Sequence, residues 1–313
     1  MSRFNLQGRL NVQGDLRFSD NTGIPTLPRF GVDAAYSVRR LFNEYNGPLM
    51  RVRRSSDNAE LDIGYTKFNL LDTVSILNFC GINTGTVVAW YDQSGNGYTA
   101  GVNNVAYGVS YPVICAGGGI RKLQPGGIGA GDIPGIDFDS SSGLITSTAL
   151  PDFNYDSVFV VESHINIGLL DSKNQRIYSK RNSDILLSVL QPGAGYIQNT
   201  YSYKRGNASL SVTTVPSQTL LLTKNIIDVT NATTFSVEIR GNNVLQPYSQ
   251  SSAGAPQGNA GFAMGIGTNV NNVPPAGGNY FSGRMSELVI YNTDMQVYRQ
   301  AIISNMNYYY NTF

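Results

Sequence analysis

The stretch TVVAWYDQSGNGYTA, residues 86–100, changes character at its middle, and that change decides the fold class. Its first half, Val87 to Tyr91, is a short run of β-branched and aromatic residues that reads as a buried strand. In the second half Asp92, Ser94 and Asn96 can each turn a side chain back onto the backbone, and Gly95 and Gly97 tolerate positive φ. The strand therefore ends in a tight hydrogen-bonded loop. Upstream, Arg51, Arg53 and Arg54 precede Asp57, Glu60 and Asp62. Guanidinium forks bind carboxylates bidentately, so this segment is expected to lock onto Asp92. Arg51, Arg53, Arg54, Asp57, Asp62, Asp92 and Ser94 then form one polar cluster whose work is to hold the fold together.

Working outward, 313 residues allow one large all-β domain or two ordinary ones, and 41% hydrophobic residues are ample for a core. Only 14% of residues are charged, below the usual quarter, and the polar remainder is Asn, Ser, Thr, Gln, Gly and Tyr. That is the profile of a β-rich protein with a neutral surface. A formal charge of +1 gives no reason to expect nucleic acid or an anionic membrane as partner. The opening residues, MSRFNLQGRLNVQGDL, lack the apolar core of a secretory signal, and no apolar run reaches membrane-spanning length, so the expected place of synthesis and residence is a cytosol. Cys80 and Cys115 are too few for a disulfide scaffold or a zinc site and read as free buried thiols. No metal and no cofactor is expected.

Residues 1–31 read as an N-terminal arm and residues 32–313 as the main domain. Within the arm, Leu6 to Asn11 and Val12 to Arg17 repeat with a period of six, which puts Leu6, Leu10, Val12 and Leu16 on one face of an extended chain. Unpaired strand edges seek partners, so residues 1–28 either form a hairpin of the main domain or dock on a neighbouring subunit. Asp33 to Tyr45 has the stripe of a helix, capped by Asp33 and stopped by Gly47-Pro48, and a shorter helix is expected from Asp72 to Cys80. Strand candidates then follow at short spacing: Gly135 to Phe138, Ser157 to His164, Ile185 to Leu190, Tyr196 to Tyr203, Leu210 to Thr214, Thr219 to Leu222, Thr234 to Arg240, Phe262 to Ile266 and Tyr280 to Tyr291. The Gly-rich segment Gly117 to Gly135 lacks the Lys and Ser/Thr of a phosphate loop and is a connection. A closing helix from Asp294 carries the stripe Met295, Tyr298, Ile302, Met306, Tyr309. The expected fold is all-β, an antiparallel sandwich or jelly roll with a few peripheral helices.

The runs Ala34 to Leu41, Tyr45 to Leu49, Val52 to Asp57, Asp62 to Gly64, Phe79-Cys80 and Tyr91 to Gly95 together resemble the catalytic domain of α-L-arabinofuranosidase B, which implies a concanavalin A-like β-sandwich. The same pattern, with Gly283 to Asn292 and the closing helix, also looks like lectin-like domains of structural proteins of bacteriophages and other large viruses. The departures weigh against catalysis. The hydrolases carry a second cysteine shortly after the position of Cys80, absent here, and their acid follows a strand end resembling Gly265-Ile266-Gly267-Thr268-Asn269, which has no carboxylate.

Hydrolysis of a glycoside needs two carboxyl groups facing each other across a sugar, and Glu162, Glu238 and Glu287 are the strand residues it would have to use. His164, the one histidine, has no evident nucleophile to activate. Asp92 to Gly97 imitates half a calcium loop, but position twelve is Asn103, so it reads as a turn. Tyr196, Tyr201, Tyr203 and Tyr248 are the candidates for stacking on a glycan, with cross-strand packing as the plainer reading. These considerations lead to the expectation of a non-enzymatic virion component, a phage head, tail or fibre decoration. It would bind other virion proteins through residues 1–28, as a homo-oligomer or on a surface glycan, with a hydrolase of the arabinofuranosidase B type or a free lectin as the alternatives.

Overall fold

The computed structural model describes residues 26–124, 133–150, 156–164, 175–180, 185–190, 200–205, 225–232, 238–245, 263–270 and 280–312. In chain order the elements are β1 (Val32–Ser37), β2 (Met50–Arg54), β3 (Glu60–Ile63), α1 (Thr73–Cys80), β4 (Gly85–Trp90), α2 (Asn104–Tyr107), β5 (Val113–Ala116), β6 (Gly119–Ile120), β7 (Ile136–Asp139), β8 (Leu144–Ala149) and β9 (Asp156–His164). They continue with β10 (Gln175–Lys180), β11 (Ile185–Leu190), β12 (Thr200–Arg205), β13 (Asn225–Ala232), β14 (Glu238–Gly241), β15 (Val244–Leu245), β16 (Ala263–Ile266), β17 (Ser282–Tyr291) and α3 (Arg299–Tyr310).

Among the described residues the strands make two sheets, in which every strand pair is antiparallel. The larger runs β15-β14-β13-β9-β17-β7-β5-β4-β2-β3, with β1 added on β17 and β6 on β5; the smaller runs β12-β11-β10-β16-β8. All ten residues of β17 are buried, and this strand is the axis of the large sheet. On one side it carries β9 along most of its length; on the other it carries β7 at Ser282 to Met285 and β1 at Glu287 to Tyr291, end to end. Apolar residues of both sheets and of α3 join in one contiguous core, so the architecture is a β-sandwich with few helices.

Strand alternation assigns the two faces of the large sheet. Val161 is opposite Glu287, and Phe159 is opposite Asp228; Glu287 and Asp228 both meet α3, so this is the helix-covered face. Glu162 is opposite Met285, itself opposite Ile136 of β7, and two residues along β7 the ring of Phe138 touches Gly267 at the end of β16. Glu162 therefore lies on the face turned to the smaller sheet. Gly267 is there for a physical reason: its φ is +69°, and a Cβ would lie 2.3 Å from Phe138.

Helix α3 is tied down by two buried ion pairs. Arg39 donates from Nε and Nη2 to Glu287 at 2.7 and 3.0 Å and from Nη2 to Asn305 at 2.7 Å. Glu287 also accepts the hydroxyls of Ser37 at 2.9 Å and Tyr310 at 2.7 Å. Burial alone would lower the pKa of Arg39, but the Glu287 carboxylate, with Tyr310 and Tyr309 beside it, more than reverses this and holds it raised. Arg299 of α3 grips Asp228 of β13 at 2.6 and 2.8 Å.

Several expectations need correction. The stretch from Asp33 is not a helix: residues 32–37 are strand β1, buried at all six positions, so no alternation marks it, and its pairing with β17 overrides the helical stripe. The closing helix begins at Arg299; Asp294 instead caps a turn through Gln296 N–H at 2.9 Å. Residues 26–31 of the expected arm belong to the sandwich. Leu27 is buried, Pro28 accepts the Tyr291 hydroxyl, and Thr26 accepts the Asn305 amide. The six-residue repeat and the strand candidates at 210–214 and 219–222 lie outside the described residues. Strands β9, β11, β16 and β17 and helix α1 fall where the sequence puts them.

Removing one partner of a buried ion pair leaves the other charge stranded, which costs roughly 3–5 kcal/mol. Glu287→Ala is expected to lower unfolding stability by that amount, read as a fall in the urea midpoint at unchanged slope. A loss under about 1 kcal/mol, the scale of an exposed pair, would show that the pair does not hold α3.

Candidate functional site

The turn after β4 is built around Asp92. Its Oδ1 accepts the N–H groups of Ala35 and Ser94, both at 2.9 Å, and its Oδ2 accepts the Ser94 hydroxyl at 2.7 Å and the Tyr98 N–H at 3.1 Å. Gln93 accepts from Leu41 N–H and donates to the Arg39 carbonyl, at 2.8 and 2.9 Å. Asn96 donates to the carbonyls of Val32 and Asp33. Gly95 and Gly97 take φ of +93° and +83°, which lets the chain fold back so tightly. The result welds the end of β4 to β1. Both carboxylate oxygens of Asp92 are taken by donors of the chain itself, so a cation would have to displace them. Among the described residues no group of three or more His, Cys, Asp or Glu could hold a metal ion.

The three arginines do not reach this turn, which corrects the expectation of a single cluster. They pair inside their own hairpin, where the register of β2 on β3 sets Arg51 opposite Asp62 and Arg53 opposite Glu60. Arg51 holds Asp62 at 2.8 and 2.7 Å, Arg53 holds Glu60 at 2.9 and 2.7 Å, and Arg54 holds Asp57 at 2.9 and 2.6 Å. Aromatic groups flank the ladder: the Tyr91 hydroxyl donates to Asp62 at 2.7 Å, and Arg53 and Arg54 lie over Tyr111 and Phe79. Each cation is neutralised by its own carboxylate, so the ladder offers no net charge to a ligand. It does guard the exposed edge strand β3 against pairing with another chain.

The carboxylates divide by face. Glu287 is committed to Arg39, Ser37 and Tyr310 on the helix-covered face. Glu162, fully buried, is on the face between the sheets. Beyond β16, Asn269 is 4% exposed and its Oδ1 finds no partner among the described residues. Glu238 opens β14 and His164 closes β9, and only their backbone positions are described. Tyr201 and Tyr203 lie on β12 opposite Val189 and Leu187, again as backbone positions, and Tyr196 and Tyr248 are outside the described residues. The sequence reading missed Arg39, Asp228, Arg299 and Asn305, whose partners are remote in the chain; the one local signal was a carboxylate, Glu287, inside the apolar run of β17.

Hydrogen bonds from Arg54, then from the Ala59 backbone, hold the Asp57 carboxyl down at about 2, and Arg51 similarly lowers Asp62. Burial and then Asp62 push the Tyr91 hydroxyl up to about 12. A carboxyl depressed on folding contributes stability that is fully present above its unfolded pKa, about 4, and is lost as pH falls through its folded value. The Asp57 carboxyl, followed by NMR, is expected to titrate near pH 2 and to move up toward its ordinary range in Arg54→Ala. Identical titration in the two proteins would remove Arg54 as the cause.

A family model described as α-L-arabinofuranosidase B, catalytic, matches residues 29–110. The probable α-L-arabinofuranosidase B of Aspergillus fumigatus is 29% identical over 154 residues, covering 41% of this chain and 29% of that protein. A mutant GH54 α-L-arabinofuranosidase soaked with 4-nitrophenyl α-L-arabinofuranoside superposes with a TM-score of 0.63 at 14% identity, covering 88% of this chain and 62% of that one. An arabinofuranosidase complexed with arabinofuranosyl-α-1,2-xylobiose gives 0.58 at 15% identity with the same coverage. At such identities the likeness is one of fold, and the chain spans less than two thirds of each of these proteins. These matches correct the expectation of a non-enzymatic virion component: the family model is that of a catalytic domain, the relatives are glycosidases, and the phage assignment and virion location fall with that reading. In sequence over residues 29–110 the chain resembles the catalytic domain of α-L-arabinofuranosidase B, and in fold over 88% of its length it resembles a GH54 α-L-arabinofuranosidase.

Proposed function

We propose that this protein is a glycoside hydrolase that cleaves α-L-arabinofuranosidic bonds. The observation that carries the reading is the match of residues 29–110 to the catalytic domain of α-L-arabinofuranosidase B. The matched segment is the one that folds into β1, β2, β4 and the Asp92 turn. It thus contributes the frame of the large sheet, and the reacting groups come from later strands.

Glu162 is the carboxylate we assign to the chemistry. Glu287 lies on the face covered by α3, and Glu162 lies on the face turned to the smaller sheet, the side shared by both sheets of the sandwich. Its role would be attack on, or stabilisation of, the anomeric carbon as positive charge develops there. The acid that protonates the leaving oxygen is the weaker half of the site, because the strand end Gly265 to Asn269, which the resemblance sets beside that acid, carries no carboxylate. General acid catalysis contributes about 10²–10⁴-fold, and a leaving group that departs as a stable anion does not need it. Aryl arabinofuranosides should therefore be the better substrates.

Hydrolysis of 4-nitrophenyl α-L-arabinofuranoside is the test, with 4-nitrophenolate release as readout. The wild-type chain is expected to turn it over, and Glu162→Gln, which preserves shape, to lose at least roughly 10³-fold in kcat. Methyl α-L-arabinofuranoside is expected to react more slowly than the aryl compound by a factor within the general-acid range. Absence of turnover on the aryl substrate overturns the hydrolase reading; full activity of Glu162→Gln overturns the assignment of the carboxylate.

A further inference from the structure

Cys80 ends helix α1 and Cys115 lies in β5, both about 1% exposed and both reduced. Their sulfurs converge over one backbone position. Gly85 is the register partner of Cys115, and a Cβ at Gly85 would lie 2.6 Å from the Cys115 sulfur and 2.7 Å from that of Cys80. Two atoms that close to one point are neighbours. Glycine at position 85 is what leaves room for both, since its φ is not in the left-handed region and space, rather than conformation, excludes a side chain.

We propose that Cys80 and Cys115 form a modification site, a dithiol that a low-molecular-weight disulfide oxidises to an intramolecular disulfide joining α1 to β5. The step balances without another reactant. The Cys80 thiolate attacks the small disulfide, forms a mixed disulfide and expels one small thiolate. The Cys115 thiolate then attacks the Cys80 sulfur and expels the second. Two electrons pass from the protein thiols to the small disulfide, and the two protein protons end on the two small thiols. Cys80 is the entry point because it sits at the helix end, followed by exposed Gly81 and by Ile82, which is 84% exposed. Burial, then the neighbouring Cys80 thiol, pushes the Cys115 thiol up to about 12, so at neutral pH it is almost wholly protonated and is the poorer of the two to meet the reagent first. The chain closed off by the bridge contains β4 and the Asp92 turn, so oxidation ties together the segment that welds β4 to β1.

The test uses the full chain equilibrated across graded ratios of oxidised to reduced glutathione, quenched by acid, alkylated in denaturant and mapped by peptide mass spectrometry. Both thiols are expected to disappear together, with a Cys80–Cys115 linked peptide, a monomeric product, loss of two hydrogens in intact mass, and a higher thermal midpoint than the reduced chain. The midpoint shift should be absent in Cys80→Ser and in Cys115→Ser under the same conditions. The wild-type peptide map needs neither variant, so a folding defect in either leaves the test intact. Thiols that stay reduced in the folded chain at the most oxidising ratio while the urea-unfolded chain oxidises would overturn the proposal and leave two core thiols. So would intermolecular dimers or a glutathione adduct without the linked peptide.

Discussion

The buried pair of Arg39 and Glu287 is the constraint on which the rest of the sandwich depends. It joins the residues just past β1, the middle of β17 and the last turns of α3 at a single point with no access to water. Two desolvated charges are tolerable only when their geometry is good and the remaining lone pairs and protons find partners. Ser37 and Tyr310 donate to the carboxylate, Asn305 accepts from Arg39 Nη2, and the ring of Tyr309 covers the guanidinium at 4.0 Å, while Arg39 Nη1 makes no hydrogen bond among the described residues. Apolar residues would fill the same volume without demanding one arrangement. The ion pair demands that strand, sheet axis and helix arrive together, which makes the docking of α3 specific as well as stable.

Charge elsewhere in this chain is used in the same way. With few ionisable groups, most of those described are spent in pairs that position backbone: Arg299 with Asp228 for the start of α3, the arginine ladder for the β2–β3 hairpin, Asp92 for the turn. Glu162, a fully buried carboxylate on the face turned to the smaller sheet, stands apart from these by its place in the fold.

How far this was legible in the sequence depended on how local each cause is. The strand and turn around Trp90 and Asp92 could be read because β-branched residues give way at once to Asx and glycine chemistry, and β17 because it closes on the β-branched and aromatic run Leu288 to Tyr291. Strand β1 could not: Ala34-Ala35-Tyr36 carries little strand preference, and burial on both faces erases the alternation that would have marked it. The arginine segment reads as locking onto Asp92, but the register of the β2–β3 hairpin sets Arg51 and Arg53 opposite Asp62 and Glu60, closer than any remote carboxylate. The arabinofuranosidase B likeness was legible in the first hundred residues. The conclusion that the scaffold had lost its chemistry was drawn from positions where residues differ, and differences at a few positions are weaker information than a matched segment.

The pairing of β1 with β17 has a consequence for how the chain reaches this structure. Ser37 and Glu287 bond across 250 positions of sequence, and Arg39 meets Asn305 across 266. Such contacts repay the entropy of loop closure only after nearly everything between them has left the ribosome. Until then Ala34, Ala35 and Tyr36 wait as apolar chain without a sheet to join, and the axis strand that would receive them does not yet exist. Vectorial synthesis thus delivers β1 first, and β17 and α3, which complete its pairing, last. The interval between the two is when this protein is most exposed to aggregation and most dependent on chaperones.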